Sequence, residues 1–325
     1  MKAAIVKTPG KAPEYGDFEA PRASAGCREI RVAASALSHV TRSRAAGVHY
    51  TSDTAGQGLP FVAGVDGTGV DADGRRVYFF GPVAPHGAMA ERTLVSDAHC
   101  LPLPDALDDV TAAALAIPAM SSWAALKERA RLEFGETVLV NGATGSSGRL
   151  AVQIAKYLGA GKVIATGRDA TALGELSALG ADVLVPLGQD ETLGEALREQ
   201  FAGGVDIVLD YLWGPSAHAL LGAAARALPD LAALRYVQIG AIGGGEISLP
   251  AAVLRSTAIT LMGSGMGSVP MPMLLEALRM VLDIAPRAGL RIDTRAVPLA
   301  QLGEVWAKAD SRTRTVFTIG ACVAS

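Results

Sequence analysis

The stretch Asn141-Gly142-Ala143-Thr144-Gly145-Ser146-Ser147-Gly148 sets three glycines among small and hydroxylated residues. Apolar residues 138–141 precede it as a predicted strand, and residues 149–158 follow with helical periodicity. Strand, glycine turn and helix in that order form an anion site. Gly145 lets the backbone approach a pyrophosphate, Gly148 lets the helix pack on the strand, and the helix N-terminus presents free N–H groups. The register Ala143-x-Gly145-x-x-Gly148 is a dinucleotide fingerprint with alanine in first place. A glycine turn without a ligand is the plain alternative.

The candidate phosphate contacts are therefore Ala143, Thr144, Gly145, Ser146, Ser147 and Gly148. About 20 residues beyond such glycines an NAD enzyme places an acidic side chain on the ribose. Here the segment reads Ala165-Thr166-Gly167-Arg168-Asp169. The Arg168 guanidinium fits a 2′-phosphate, with Thr166 and Gly167 beside it, so the cofactor is read as NADPH. The alternative is a surface arginine, with Asp169 reading an NAD ribose. Later strand ends should line the same cleft through Leu212, Gly240, Ala241, Ile242, Gly263 and Ser264. Ordinary turn chemistry accounts for any one of them equally well.

These residues need a scaffold. From residue 135 onward, short apolar runs near 138–141, 163–166, 183–185, 206–210, 236–240 and 259–262 alternate with helical stretches at 149–158, 170–179, 192–201 and 216–227. That alternation predicts a parallel sheet covered on both faces, doubly wound. The first hundred residues read differently. Pro and Gly punctuate β-like runs at 3–6, 29–37, 76–80 and 88–95, and the glycine-rich segment 64–69 suggests tight turns. Two helices are predicted at 105–116 and 121–131, separated by Pro118, with Ser121 or Ser122 capping the second. The tail predicts a helix at 273–284, a strand near 295–297, a short helix and a strand at 315–319.

The chain has 325 residues, half of them hydrophobic, which suits two domains or one large one. A net charge of −3 with dispersed basic residues excludes a nucleic-acid stripe. Lys127 and Arg131 are read as a solvated helix face. Cys27, Cys100 and Cys322 are too few and too scattered for a disulfide framework or metal spacing. The N-terminal apolar stretch is too short for a signal peptide, and no apolar run reaches the roughly 20 residues that span a bilayer. A cytoplasmic protein is expected, without a membrane or nucleic-acid partner.

With these motifs in view, the chain resembles the zinc-free, quinone oxidoreductase-like branch of the medium-chain dehydrogenase/reductase superfamily. The resemblance rests on Met1-Lys2-Ala3-Ala4-Ile5, Phe61-Val62-Ala63-Gly64-Val65-Asp66-Gly67, Ile117-Pro118-Ala119-Met120-Ser121-Ser122-Trp123, the glycine turn, Gly180-Ala181-Asp182 and Gln238-Ile239-Gly240. It implies an α/β fold: a GroES-like β-rich catalytic domain with an inserted Rossmann doubly wound parallel-sheet domain. The implied boundaries are 1–118, 119–268 for the NADPH-binding domain, and 269–325. The cofactor is expected in the interdomain cleft. A homodimer is expected through the edge strand running from Ile259 to Met262.

Zinc-dependent members of that family carry a cysteine after an early strand, a His-Glu pair after a glycine and a second cysteine. The corresponding residues here are Ser38-His39, Val65-Asp66 and Ile117, so no metal site is expected. The implied activity is zinc-independent hydride transfer from NADPH to a quinone or an α,β-unsaturated carbonyl. A zinc-free alcohol or carbonyl reductase and a non-catalytic NADPH-binding sensor or structural protein stay open. Tyr50 and His39 are the candidate catalytic residues. Tyr50 would hydrogen-bond the acceptor carbonyl, or else wall the site. His39 would orient substrate or protonate the enolate, or else serve structure.

Overall fold

The computed structural model describes residues 1–52, 58–188, 191–308 and 310–320. Cys322 and the turn residue Gly56 lie outside the described residues.

The chain opens with β1 (Lys2–Val6), β2 (Glu14–Asp17) and the long β3 (Cys27–Ala36), followed by helix α1 (His39–Ala45). Then come β4 (Phe61–Val62), β5 (Asp66–Val70), β6 (Arg76–Phe80), β7 (Arg92–Ser96) and β8 (Cys100–Pro102). The segment 64–69, expected as tight turns, is largely strand β5. A Cβ at Gly67 would fall 2.6 Å from the Ala34 carbonyl oxygen, and one at Gly69 would fall 2.3 Å from that of Arg31. The glycines let two strands close up; they do not turn the chain.

Helix α2 (Asp109–Ala124) runs straight through Pro118 and continues as a π-helical turn, Ala125–Arg129. Two helices broken at the proline were expected. Instead, Ser121 and Ser122 serve the helix interior, donating to the Pro118 carbonyl at 2.9 and 3.0 Å. The stretch Asp109–Arg129 is long and apolar enough to cross a membrane by length and composition, contrary to the sequence expectation. Its apolar window is 72% buried inside the fold, the behaviour of a core helix.

The parallel region follows: β9 (Thr137–Asn141), α3 (Ser146–Tyr157), β10 (Lys162–Gly167), α4 (Ala170–Gly174), β11 (Val183–Pro186) and α5 (Glu191–Ala202). It continues with β12 (Ile207–Asp210), α6 (Gly214–Ala227), β13 (Ala233–Gln238), α7 (Ala251–Arg255) and β14 (Ala258–Gly263). All sheet pairs are parallel, in the order β11-β10-β9-β12-β13-β14. The chain winds outward from β9 to β11, then returns to place β12 on the other side of β9. That reversal opens a crevice at the carboxyl ends of β9 and β12, where open α/β sheets bind ligands. Leu139, Ile164, Val208, Leu234 and the α6 residues Leu220 and Leu221 build the core beneath it.

Helix α8 (Met271–Ala288), β15 (Thr294–Pro298), α9 (Leu302–Val305) and β16 (Arg314–Thr318) close the chain. Strand β16 pairs antiparallel with β3 and parallel with β15, in a largely antiparallel sheet ordered β15-β16-β3-β5-β6-β8, with β7 also on β3. Ile30, Val77, Phe79, Met89 and Phe317 fill its core. The chain thus forms two compact units. One comprises Met1–Ile117, Leu282–Pro286 and the chain from Ile292 onward; the other comprises Pro118–Val281 and Arg287–Arg291. The fold is α/β, with a parallel, doubly wound unit inserted into an antiparallel one.

Candidate functional site

Strand β9 ends at Asn141, and helix α3 starts at Ser146 with Gly145 as its extended N-cap. A glycine cap brings no side chain to the first-turn N–H groups, and that turn carries no acidic residue. The positive end of α3 is therefore not neutralised by its own first turn. Gly142 has φ +84°, and a Cβ there would lie 2.7 Å from Leu212 Cγ. A Cβ on Gly148 would lie 2.4 Å from the Gly142 carbonyl oxygen and 2.5 Å from Ala143 Cα. Helix and turn touch backbone to backbone, as the fingerprint requires. Ala143 is fully buried, while Thr144, Gly145 and Ser147 are partly exposed at the lip.

Under the turn lies a buried polar network. Asn141 Nδ2 donates to Asp210 Oδ1 at 2.8 Å and to Ser216 Oγ at 2.9 Å. Asp210 Oδ1 also accepts from the main-chain N–H groups of Leu212 (2.9 Å) and Trp213 (3.0 Å), and Tyr236 Oη donates to Asp210 Oδ2 at 2.7 Å. Thr166 closes the ring. Its hydroxyl donates to Asn141 Oδ1 at 2.8 Å and accepts from Gly142 N at 3.2 Å. Thr166 was expected at the cofactor, but it is fully buried and both hydroxyl bonds are internal. It holds the turn from below. Gly167 is likewise covered, since a Cβ there would meet Thr144 Cγ2 at 2.4 Å.

Arg168 follows β10 and is exposed. Its neighbour Asp169 caps α4, accepting from Ala172 N at 3.0 Å through Oδ1. The later strand ends lie close together. Gly243 N donates to the Leu212 carbonyl at 2.7 Å, and a Cβ on Gly240 would fall 2.6 Å from the Tyr211 carbonyl oxygen. Ser264 N donates to the Gln238 carbonyl at 2.9 Å, and Arg129 Nε holds the Gly263 carbonyl at 2.8 Å. Ala241 and Ile242 are exposed. Among the described residues, its chain neighbours aside, nothing stands within 4 Å of a Cβ on Gly263.

Sequence reasoning missed Trp213, Ser216 and Tyr236. Trp213 has φ 57° and ψ −153°, a backbone region nearly reserved for glycine. It packs edge-on to Tyr236 at 6.4 Å and, with Gln238, Leu261 and Gly263, lines a cavity of about 380 Å³. The Tyr-Leu-Trp-Gly sequence after Asp210 gave one usable signal: a bulky residue ahead of a helix-starting Gly-Pro.

The antiparallel unit holds the two predicted catalytic residues. Tyr50 is 64% exposed and stacks on His49 with ring centroids 4.3 Å apart. Ser38 caps α1, accepting from Thr41 N at 3.0 Å and sharing a 2.9 Å contact with the Thr41 hydroxyl. His39 opens α1 with its side chain reaching the surface. The crowded setting of its ring, and then the Arg314 and Arg42 cations, hold its pKa below the ordinary histidine value. The imidazole is accordingly neutral near pH 7. Asp66 is fully buried, and its Oδ2 accepts from Tyr78 Oη at 2.9 Å. Burial pushes its carboxyl up to about 7, against the opposing effects of the Tyr78 bond and Arg314. Among the described residues, no group of three or more His, Cys, Asp or Glu side chains is disposed to hold a metal.

Comparison with known proteins agrees with this architecture. The sequence family described as zinc-binding dehydrogenase matches residues 148–283. The chain is 30% identical to the "Probable NADPH-dependent quinone reductase tdiC" of Emericella nidulans, over 90% of this chain and 91% of that one. It is 41% identical to the quinone oxidoreductase of Rattus norvegicus over 33% of this chain and 35% of that one. Among solved structures it resembles the quinone oxidoreductase of Thermus thermophilus, described alone and in complex with NADPH. The TM-score is 0.79 at 27% identity, covering 98% of this chain and 100% of that one. The chain is an oxidoreductase and belongs to the quinone oxidoreductase-like branch of the medium-chain dehydrogenase/reductase superfamily.

Proposed function

We propose that this protein is a zinc-independent, NADPH-dependent reductase of quinones or α,β-unsaturated carbonyls. One observation carries the cofactor reading. Arg168 stands exposed beside an aspartate already engaged as a helix cap, next to a glycine turn whose helix has no side-chain cap and no acidic residue in its first turn. The relative in Emericella nidulans and the Thermus structure support the same cofactor through their names.

The residues present do not fit a catalytic zinc. Ser38 is engaged as a cap, Asp66 is bound to Tyr78, and among the described residues no group of three or more His, Cys, Asp or Glu side chains surrounds His39. The thiols of Cys27 and Cys100 belong to the ends of β3 and β8, and burial raises that of Cys100 to about 11. A protonated thiol is a poor ligand. Without a Lewis acid, acceptors whose reduced form delocalises its charge are favoured.

Bound NADPH would supply the hydride. The chain's residues bind and orient. The α3 N-terminus and the Gly145 backbone take the pyrophosphate, and Arg168 takes the 2′-phosphate. The walls at Leu212, Gly240 to Ile242, Gly263 and Ser264 exclude water from the reacting ring. Tyr50 would donate a hydrogen bond to the acceptor carbonyl. The neutral His39 would orient the acceptor rather than act as an imidazolium acid. A homodimer through the outer strand β14 completes the proposal; analytical ultracentrifugation tests it.

The deciding experiment mixes purified protein with NADPH and a panel of quinones, enones and aldehydes, with metal content measured on the same sample. Turnover of a quinone or an enone without zinc is expected. Binding without turnover would favour a sensor or structural role, turnover of aldehydes alone a carbonyl reductase, and stoichiometric zinc would sink the metal-free reading.

A further inference from the structure

The cavity beside Trp213 shares one wall, Gly263, with the cofactor reading and is otherwise unused by it. It lies at the carboxyl ends of the outer strands of the parallel sheet. Tyr236 pairs with Leu261 and Gln238 with Gly263, and alternation along the strands puts all four on one face. That is the face covered by α6 and α7, since Tyr236 packs with Leu220, Leu221 and Val253. Strand β14 stands three places from β9, about 14 Å at the usual strand spacing of ~4.8 Å, so the cavity is set apart from the glycine turn.

The lining is aromatic and uncharged. The rings of Trp213 and Tyr236 meet at 68°, which makes them two walls of a corner rather than a stack. Leu261 and Met262 add apolar surface, and no charged residue takes part. Tyr236 spends its hydroxyl on Asp210, so it offers the cavity only its ring. Gln238 Nε2 donates to the Gly240 carbonyl at 3.0 Å, which leaves Oε1 without a partner among the described residues. Gly245 and Gly263 keep the space open: chain neighbours aside, a Cβ on either would meet nothing within 4 Å among the described residues.

The backbone at Trp213 is a second, independent observation. Its φ of 57° and ψ of −153° suit glycine, and a side chain there is strained. The bond that fixes this turn, from Trp213 N to Asp210 Oδ1, needs no side chain at all. Trp213 is only half-buried, so core packing is a weak reason for its indole. A glycine would serve the turn better; the ring finds its use in the cavity it walls.

We propose that this cavity is a binding site for an uncharged, planar aromatic molecule of about two fused rings. A cavity of roughly 150 Å³ holds benzene, so one of about 380 Å³ takes a bicyclic ring with a small substituent. The ring lies along the Trp213 indole, where offset stacking adds to the burial of apolar surface. A hydroxyl on the ring donates to Gln238 Oε1. A carboxylate or phosphate is excluded, because nothing in the lining would offset its desolvation. The site is separate from the reductase reading and does not depend on the ligand being reduced.

The test titrates the full chain calorimetrically with 2-naphthol at neutral pH, with and without saturating NADPH. One saturable site is expected, its Kd the same within about twofold in both titrations. The methyl ether of the same naphthol has no O–H and should bind several-fold weaker. The corresponding naphthalene sulfonate should not bind saturably. Trp213→Gly keeps the bond to Asp210 and relieves the backbone; it should fold and weaken 2-naphthol by ~10-fold or more. Gly245 has no left-handed φ, so Gly245→Leu can fill the space without strain and should weaken binding as much. It replaces Trp213→Gly should that variant fail to fold. No saturable site in the parent protein, displacement of 2-naphthol by NADPH, or undiminished binding in either folded variant overturns the proposal. Quinone turnover is read separately, and its absence would strike the reductase reading while leaving this site standing.

Discussion

Replacing Arg168 with alanine should separate the two nicotinamide cofactors. Arg168 is exposed at the end of β10, and Oδ1 of Asp169 is held 3.0 Å from Ala172 N as the cap of α4. The arginine is thus the group available to a 2′-phosphate. A hydrogen bond to a charged partner contributes about 1.5–3 kcal/mol, and solvent at an exposed position brings that to the lower end. Loss of about 1.4–2 kcal/mol is a ~10–30-fold rise in the NADPH Kd. NADH carries no 2′-phosphate, so its Kd should move by no more than about twofold. Titrating both cofactors against parent and variant by nicotinamide fluorescence measures this. Asp169→Asn is the companion variant, because asparagine caps a helix as well as aspartate does. It removes the carboxylate without releasing α4, and NADH binding should hardly change. Equal losses for both cofactors in Arg168→Ala, or a selective loss of NADH in Asp169→Asn, would refute the reasoning.

Gly148→Ala would place a methyl 2.4 Å from the Gly142 carbonyl oxygen. Helix α3 must then retreat by about 1 Å, at about 1–3 kcal/mol of stability and with weaker NADPH binding, both readable by denaturant titration and cofactor fluorescence. Tyr236→Phe strips Asp210 Oδ2 of its partner; a destabilisation of about 1–3 kcal/mol is expected from urea unfolding. Asp66 makes stability depend on pH. Its folded pKa of about 7 lies above the ordinary 3.8, so between these values the folded chain keeps a proton that the unfolded chain releases. Stability should fall as pH rises through that window, by up to about 4 kcal/mol, and level off above it. Thermal melts from pH 4 to 8 should show this slope, and Asp66→Asn should abolish it.

The parallel unit was readable because its strands and helices alternate at distinct periods, and Gly142, Gly145 and Gly148 fall where strand hands over to helix. Local signals failed where tertiary packing outweighed them. Pro118 marks a helix end by its own chemistry, yet the buried apolar faces on either side hold one helix together. Gly67 and Gly69 look like turn residues, and only the approach of Ala34 and Arg31 on β3 shows why glycine is needed. Thr166 was placed at the cofactor by its spacing, which carries no information on where its hydroxyl points. The neighbourhood of Asp66, Arg42 and Arg314 was invisible, because the expected return of the tail to the N-terminal domain does not say that β16 lies beside β3. Asp210 was noticed as a strand end; its four partners depend on β9, β12 and β13 lying side by side.

The backbone at Trp213 has a kinetic consequence. Its glycine-like conformation is held by Asp210 Oδ1, and that carboxylate is fixed in turn by Asn141 from β9 and Tyr236 from β13. No local segment contains all four residues, so the turn cannot be stable before three strands have come into register. The amides of Leu212 and Trp213 should therefore gain protection from hydrogen exchange among the last in the parallel unit during refolding, after those of β9 and β10. The crevice wall would be finished only when the sheet is, which would keep partly folded chains from capturing cofactor.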